Sequence, residues 1–352
     1  MTRLSFCIPT FNRGAFIGET LTSLVGQLRP GVEIVIVDGA SRDNTASVVS
    51  AFAARYPEIR YFREDANSGY DADCDKAVAY AAGDYCWLMT DDDVLAPGAV
   101  DRVLEALEGD IDLLIVDAEV RDRSLARRTE PRRLKFTGER VYGPAESDAF
   151  LRDAGDALSF VGGTIIRRSL WLSRERRTYY GTLFVHVGVI FQSPFVGRAK
   201  VIGEPLVIIR AGNAMWKSKT FEIWTFKWPE LIWSFEAYGD GAKGAVTPRD
   251  PWRRAKWMFH YRAMGAYSRD EYVRWFGQRK VGAWRPVLWI AAVSPGRLMN
   301  FALVCAWVAL GRGGRHGCYD LVESSRFSNP ASRYVAGLWR GREGAPKLAA
   351  SR

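Results

Sequence analysis

The chain has 352 residues, of which 48% are hydrophobic, 13% aromatic and 25% charged, which excludes a disordered or collagen-like polymer and leaves room for one large domain or a domain with an appendage. Five cysteines (Cys7, Cys74, Cys86, Cys305 and Cys318) are scattered without a CxxC pair, which argues against a disulfide framework or a zinc site and fits a reducing cytoplasm. The net charge of +9, with much of the excess late in the chain, suits nucleic acid, an anionic membrane surface or a phosphate-rich substrate; no nucleic-acid reader motif accompanies it, so nucleic acid is not expected.

Met1-Thr2-Arg3 runs straight into the strand-like Leu4–Ile8, so no secretory signal is expected. A helix follows over Phe16–Leu28, then a β-branched run at Val32–Val37 of the kind buried on both faces of a sheet. Asp43 caps a helix reaching about Tyr56; Ile59–Arg63 is a strand, Asp71–Ala82 a helix, Asp84–Met89 a strand, and Pro97 opens the next helix before the strand Ile111–Val116. This βα rhythm predicts an α/β fold with a mostly parallel, doubly wound, Rossmann-like sheet. Arg121–Arg140 is dense in charge and aperiodic, predicting a mobile or inserted segment. Strand Phe160–Ile166, short helix Leu183–Phe191 and one or two strands in Val201–Ile209 follow, and from Lys219 the pattern is helical and rich in tryptophan.

In an open parallel sheet, ligands gather where strands end and their order reverses. Pro9-Thr10-Phe11-Asn12-Arg13 follows the first strand, Asp38-Gly39-Ala40-Ser41 the second, Asn67-Ser68-Gly69-Tyr70-Asp71 the third and Thr90-Asp91-Asp92-Asp93 the fourth. Three adjacent carboxylates repel one another unless a divalent cation neutralises them; Mg²⁺ or Mn²⁺ would share its oxygen ligands with substrate phosphates. The plain alternative is a solvated acidic turn ahead of the Pro97 helix.

These segments carry a resemblance. Leu4–Arg13 with Leu21-Thr22-Ser23-Leu24 and Gln27, Val35–Asp43, and Ala82-Gly83-Asp84-Tyr85 ahead of the aspartates and Pro97 resemble family-2 glycosyltransferases of the GT-A fold, over roughly residues 3 to 215. Trp87-Leu88-Met89-Thr90-Asp91-Asp92-Asp93 looks most like O-antigen enzymes that transfer 3,6-dideoxyhexoses such as abequose. The resemblance implies a metal-dependent, inverting hexosyltransferase of lipopolysaccharide synthesis that takes a nucleotide diphosphate sugar, a CDP-sugar being favoured, and a glycan acceptor. It places Pro9, Thr10, Phe11, Asn12 and Asp38 around the nucleotide, Asp91 near the ribose, and Asp92 and Asp93 (the latter also catalytic) nearest the metal. The lesser alternative for Asp38 is a strand-end turn former. Gly39 stands where the family often has a second acid, and Asp71, Asp73 and Lys76 fall where an arginine near the phosphates is common, so Asp71, Asp73 or Lys76 is a candidate for part of that role, Asp71 as a nucleotide-binding residue.

The acceptor side is thinner. Tyr180–Ile190 contains no acid, and His186, its only titratable side chain besides Tyr180, reads as general base, metal ligand or packed core histidine. Arg210, ahead of Ala211–Lys217, reads as part of a loop closing over the diphosphate or as a basic surface turn. Gly162 and Gly163, with Trp216, are candidates for acceptor binding; the glycines could instead permit close backbone packing. No stretch reaches the ~20 apolar residues of a membrane span. Trp284–Ile290 and Leu298–Leu310, punctuated by arginine and tryptophan, read as helices on the inner face of the cytoplasmic membrane near a polyprenyl-diphosphate-linked acceptor, or as a core or homo-oligomer contact. The expected division is a catalytic domain over 1–215, a helical extension over 216–340 and a disordered tail over 341–352. Competing readings are a sugar nucleotidyltransferase, which should carry a Gly-rich basic loop after the first strand, and a non-catalytic nucleotide-sugar-binding protein.

Overall fold

The computed structural model describes residues 3–194, 197–311 and 316–343. They divide into two compact units, Met1–Arg210 with Glu230–Arg249, and Ala211–Pro229 with Asp250–Arg352. The division is discontinuous, so a stretch that reads as helical extension belongs to the first unit.

The first unit is built on one sheet. Leu4–Thr10 (β1) and Val32–Asp38 (β2) are buried at every residue, because helices cover both faces of a parallel sheet and leave no polar side to alternate with. β1 pairs in parallel with β2 from Leu4↔Val32 to Thr10↔Asp38 and, on its other side, with Tyr85–Leu88 (β4). Ile59–Arg63 (β3) extends the sheet beyond β2. Helices Ile17–Val25 (α1), Thr45–Ala53 (α2) and Tyr70–Tyr80 (α3) make the crossovers, bringing the ends of β1, β2, β3 and β4 to one rim.

Past β4 the sheet is mixed. Its order is β3-β2-β1-β4-β9-β6-β10-β5, where Val94–Leu95 is β5, Leu113–Arg121 is β6, Thr164–Arg167 is β9 and Ala199–Arg210 is β10. β9 lies antiparallel between β4 and β6; β10 is parallel to β6 and antiparallel to β5. The apolar run at 160–166 reads the same whichever way it pairs, so its pattern could not reveal the reversal. The charged stretch 121–140 is partly strand: Arg128–Glu130 (β7) pairs with β6, and Glu139–Tyr142 (β8) with β10. Their exposed faces carry charge, which hides the period-2 signal. Helices Ala99–Ala106 (α4), Ser147–Ala154 (α5), Arg168–Ser173 (α6) and Val185–Phe191 (α7) complete the layer.

The remaining helices are Thr220–Glu222 (α8), Trp228–Trp233 (α9), Asp240–Val246 (α10), Ala255–Met264 (α11), Arg269–Phe276 (α12), Arg285–Val293 (α13), Gly296–Ala309 (α14), His316–Tyr319 (α15) and Pro330–Glu343 (α16). In the second unit Phe221, Phe226, Trp252, Tyr267 and Phe276 form one buried core, and Ala263, Val304, Cys318 and Leu321 another. Gly265 ends α11 in the left-handed conformation (φ 80°) that a helix C-cap requires. Of the expected tail, 341–343 close α16 and the rest lies outside the described residues.

Opposite the rim, Glu33 locks the start of the sheet. Its carboxylate accepts Ser5 Oγ at 2.6 Å, the Ala82 N–H at 2.6 Å and Arg60 Nη1 at 3.1 Å. Burial alone would push this acid up, but those donors outweigh it and hold it below its ordinary value. Its stabilisation is therefore present above the ordinary glutamate pKa and lost as pH falls through the lowered one. Glu33→Ala leaves the Ser5 hydroxyl and the Ala82 N–H without this acceptor, while Arg60 keeps the Tyr80 carbonyl, and is expected to cost about 2–3 kcal/mol by urea denaturation at neutral pH, with the difference shrinking in acid.

Candidate active site

The loops after β1 and β2 brace each other. The Asn12 N–H donates to Ser41 Oγ (2.8 Å) and Asn12 Oδ1 accepts the Arg42 N–H (2.7 Å). The Arg13 N–H donates to Thr45 Oγ1 (2.8 Å) and the Gly14 N–H to Asp43 (3.0 Å). Asn12 and Ala40 both hold positive φ (55° and 62°), conformations that cost energy and persist where the surroundings impose them, as at ligand sites. A cleft of about 840 Å³ opens here, lined among others by Phe11, Asn12, Ala40, Arg42, Arg63 and Asn67. Its size lies in the range of small-molecule pockets.

Arg13, the next residue after Asn12, reaches to the β4 loop. Its Nε lies 3.1 Å from Asp91 Oδ1 and its Nη2 2.7 Å from Asp92 Oδ2. Asp91, Asp92 and Asp93 are only 8%, 7% and 3% exposed, so this is no solvated turn. Burial first, then the neighbouring Asp92, lift Asp91 to about 7 against the pull of Arg13. The same two causes push Asp93 well above the usual range. Asp93 accepts Thr90 Oγ1 (2.5 Å) and the Arg210 N–H (2.7 Å).

Arg210 is the end of β10, buried, and not part of a closing loop. Its Nε donates to the Asp92 carbonyl (2.9 Å), Nη1 to the Arg123 carbonyl (2.8 Å) and Nη2 to Glu19 (2.5 Å). With its donors spent on protein, it props the acidic loop from behind. The guanidinium groups of Arg13, Arg123 and Arg210 all stand over the Phe16 ring, at 5.5, 5.6 and 5.4 Å, a cationic collar of the kind aromatic faces attract.

Other expected residues fall differently. Pro9 and Thr10 are buried in β1, with Pro9 opposite Val37, so of the first-strand motif Phe11 and Asn12 line the cleft. Asp38 is fully buried; it accepts the Ser41 N–H (2.7 Å) and the Tyr61 hydroxyl (2.6 Å) and shapes the turn rather than lining the cleft. Asp71 spends its oxygens on the N–H groups of Gly181, Leu183 and Val185 at 2.8, 2.8 and 3.0 Å, tying α3 to the head of α7. Asp73 Oδ2 lies 2.7 Å from where a Cβ on Gly39 would stand, so an acid from α3 fills the space that a larger residue at 39 would need.

Gly162 and Gly163 sit where a side chain would clash. A Cβ on Gly163 would meet the Val116 carbonyl at 2.6 Å, one on Gly162 would meet the Phe160 ring, and the Gly162 carbonyl accepts Trp87 Nε1–H at 2.8 Å; they serve close packing. Trp216, half-exposed in the second unit, sits edge-on to Trp224 at 6.0 Å. His186 is 1% exposed on α7, and its Nε2–H donates to the Leu158 carbonyl at 2.8 Å. Burial depresses its pKa to about 4, so it is neutral at physiological pH. The structure does not assemble Asp92, Asp93 and His186 into a metal cage: among the described residues no three His, Cys, Asp or Glu side chains are so grouped. Arg42 and Arg63 were missed; Arg42 directly follows the Asp38–Ser41 motif, and that adjacency was the available signal.

Residues 5–172 match the glycosyl transferase family 2 model. That stretch, just under half of the chain, is a family-2 glycosyltransferase domain. The chain is 29% identical over 230 residues to the abequosyltransferase RfbV of Salmonella typhimurium, covering 61% of this chain and 69% of that one. Identity is also 29% over 106 residues to the GalNAc(5)-diNAcBac-PP-undecaprenol beta-1,3-glucosyltransferase of Campylobacter jejuni, covering 30% of this chain and 34% of that enzyme. The Staphylococcus aureus TarS fragment 1–349, solved with UDP-GlcNAc, superposes with a TM-score of 0.53 at 15% identity, covering 97% and 92% of the two chains. That likeness establishes the GT-A fold for the glycosyltransferase.

Because its raised pKa marks a carboxylate whose ionised form the fold disfavours, Asp93 removes stability as pH rises through the ordinary aspartate value. Asp93→Asn, which keeps an acceptor for the Arg210 N–H, is expected to raise the melting temperature at pH 7 by about 2–4 °C. The gain should fade below pH ~4, where the acid is protonated in both states.

Proposed function

We propose that the glycosyltransferase takes its nucleotide diphosphate sugar in the Asn12–Asn67 cleft with the diphosphate towards Asp91–Asp93, and transfers the sugar with inversion to a glycan acceptor. The observation that carries this reading is the buried carboxylate trio beside the cleft, joined to it through Asn12 and Arg13. Likeness to an abequosyltransferase over most of that enzyme's length supports a 3,6-dideoxyhexose donor with a cytidine nucleotide, within O-antigen synthesis. The undecaprenol-linked substrate in the name of the Campylobacter relative supports a polyprenyl-diphosphate-linked acceptor at the inner face of the cytoplasmic membrane.

The donor set fits a divalent ion in one way. Mg²⁺ is usually held by one or two carboxylates plus substrate phosphates rather than by an all-protein cage, and the adjacent buried Asp92 and Asp93 are carboxylates of that kind. Asp92 and Asp93 would hold the ion, and when bound it would stabilise negative charge on the departing diphosphate. Arg13 keeps Asp91 and Asp92 paired and oriented, Arg210 fixes the backbone of the acidic loop, and Arg42 and Arg63 present positive charge at the cleft. In this reading His186 packs α7 and moves no proton, since burial keeps it neutral and out of solvent reach.

Thermal-shift titration of CDP, UDP, GDP and dTDP, each with and without Mn²⁺, tests the assignment. CDP with Mn²⁺ should stabilise most, and Asp92→Asn should abolish the metal-dependent part. Equal, metal-independent stabilisation by every nucleotide, indifferent to Asp92→Asn, would remove the metal site and the base preference together.

A further inference from the structure

Helix α14 is built inside out. Among its fourteen residues the only polar side chains are Arg297 and Asn300. Asn300 is completely buried, donating to the Ala263 and Leu321 carbonyls at 3.3 and 2.8 Å and accepting the Ser332 hydroxyl at 2.7 Å. Its outward side is apolar instead: Leu298 is 66% exposed and Phe301 37%. A helix apolar all round belongs in a core or a membrane, yet here only Gly296, Asn300 and Val304 are buried. Helix α13 repeats the pattern, with Ile290 54% and Val293 47% exposed. The pair is bent by 98°, and α14 at ~21 Å is shorter than the ~30 Å hydrocarbon layer, so neither helix alone is long enough to cross it.

Charge identifies what covers these faces. Residues 211–229 and 250–352 hold 21 Lys and Arg against seven Asp and Glu, while the remainder of the chain holds 28 against 33; the helical unit therefore carries the whole positive excess. Between Glu271 and Asp320 there is no acidic residue and there are seven basic ones, with Arg279, Lys280, Arg285 and Arg297 exposed around the apolar helices. A second copy would bring like charges together. An anionic surface with an apolar interior complements both features.

We propose that the outward faces of α13 and α14 dock on an anionic lipid bilayer, with Ile290, Val293, Leu298 and Phe301 inserted among the acyl chains and the flanking arginines at the headgroups. The surface lies wholly in the helical unit and depends on neither donor nor metal.

Co-sedimentation with phosphatidylcholine vesicles, with and without phosphatidylglycerol, is the test. The full chain should pellet with the anionic vesicles, weakly with the neutral ones, and less in high salt. Ile290→Glu with Leu298→Glu should weaken partitioning roughly tenfold or more while leaving the CDP and Mn²⁺ thermal shift unchanged, which separates failure here from failure of the donor assignment. Cys305 provides a readout on unmodified sequence, because the other four cysteines are buried: an environment-sensitive fluorophore on it should blue-shift with anionic vesicles and be quenched by brominated acyl chains. No spectral shift, undiminished pelleting of the double variant, or loss of a dimer in that variant without any vesicle effect would overturn the proposal.

Discussion

Three adjacent carboxylates lie under cover at the end of β4, and the rest of the site is arranged around that electrostatic cost. An isolated buried carboxylate is among the least favourable groups a fold can hold, and Asp91, Asp92 and Asp93 are each less than one-tenth exposed. Their partial compensation comes from opposite ends of the unit, with Arg13 arriving from the first loop and Arg210 from the end of β10. Neither fully neutralises the trio, as the lifted Asp91 and Asp93 attest. A cation placed here would relieve a penalty already present in the protein, which is the physical basis of the proposed metal role.

The β1 and β2 loops are held by backbone hydrogen bonds, whereas the acidic loop is held by charge. Asn12, Ser41, Asp43 and Thr45 knit the β1 and β2 loops with neutral or singly charged hydrogen bonds, and Asp38 shapes the second loop from beneath by accepting the Ser41 N–H and the Tyr61 hydroxyl. Asp71 performs the equivalent service across more than a hundred residues, gathering three N–H groups ahead of α7. Acids here act in two ways, and burial together with the number of N–H donors distinguishes them: an aspartate surrounded by backbone donors is an anchor, while one set beside other aspartates is held against ionisation.

That distinction explains what the sequence disclosed. Strands β1 to β4, the acidic loop and the cleft residues Phe11 and Asn12 were legible because their signals are local: apolar runs of strand length ended by polar turns. Arg210, Asp71 and Gly163 were not. Each owes its role to a distant partner, Asp93, Val185 and Val116 respectively, and a basic residue after a strand reads the same whether its guanidinium faces solvent or a buried carbonyl. Likewise the reversal of β9 left no mark, since an apolar strand buried on both faces has no polarity in its composition. His186 stood out as the lone imidazole in its run, a signal that burial and a carbonyl partner reduce to packing.

Charge also divides the chain. The unit that holds the cleft is net acidic, 28 basic residues against 33 acidic, although a nucleotide diphosphate sugar is itself an anion. Under the proposed assignment, that unit's net charge would not draw the donor in at long range, and the attraction would have to be local. The cleft carries Arg42 and Arg63 for that purpose, set against Asp43 and Asp65 in the same lining. A divalent ion at the acidic loop would, under the same assignment, reverse the sign of the local field, so the loop would attract a diphosphate only together with its cation. The same buried carboxylates that burden the fold would then set that requirement, because the ion would relieve the cost of ionising them.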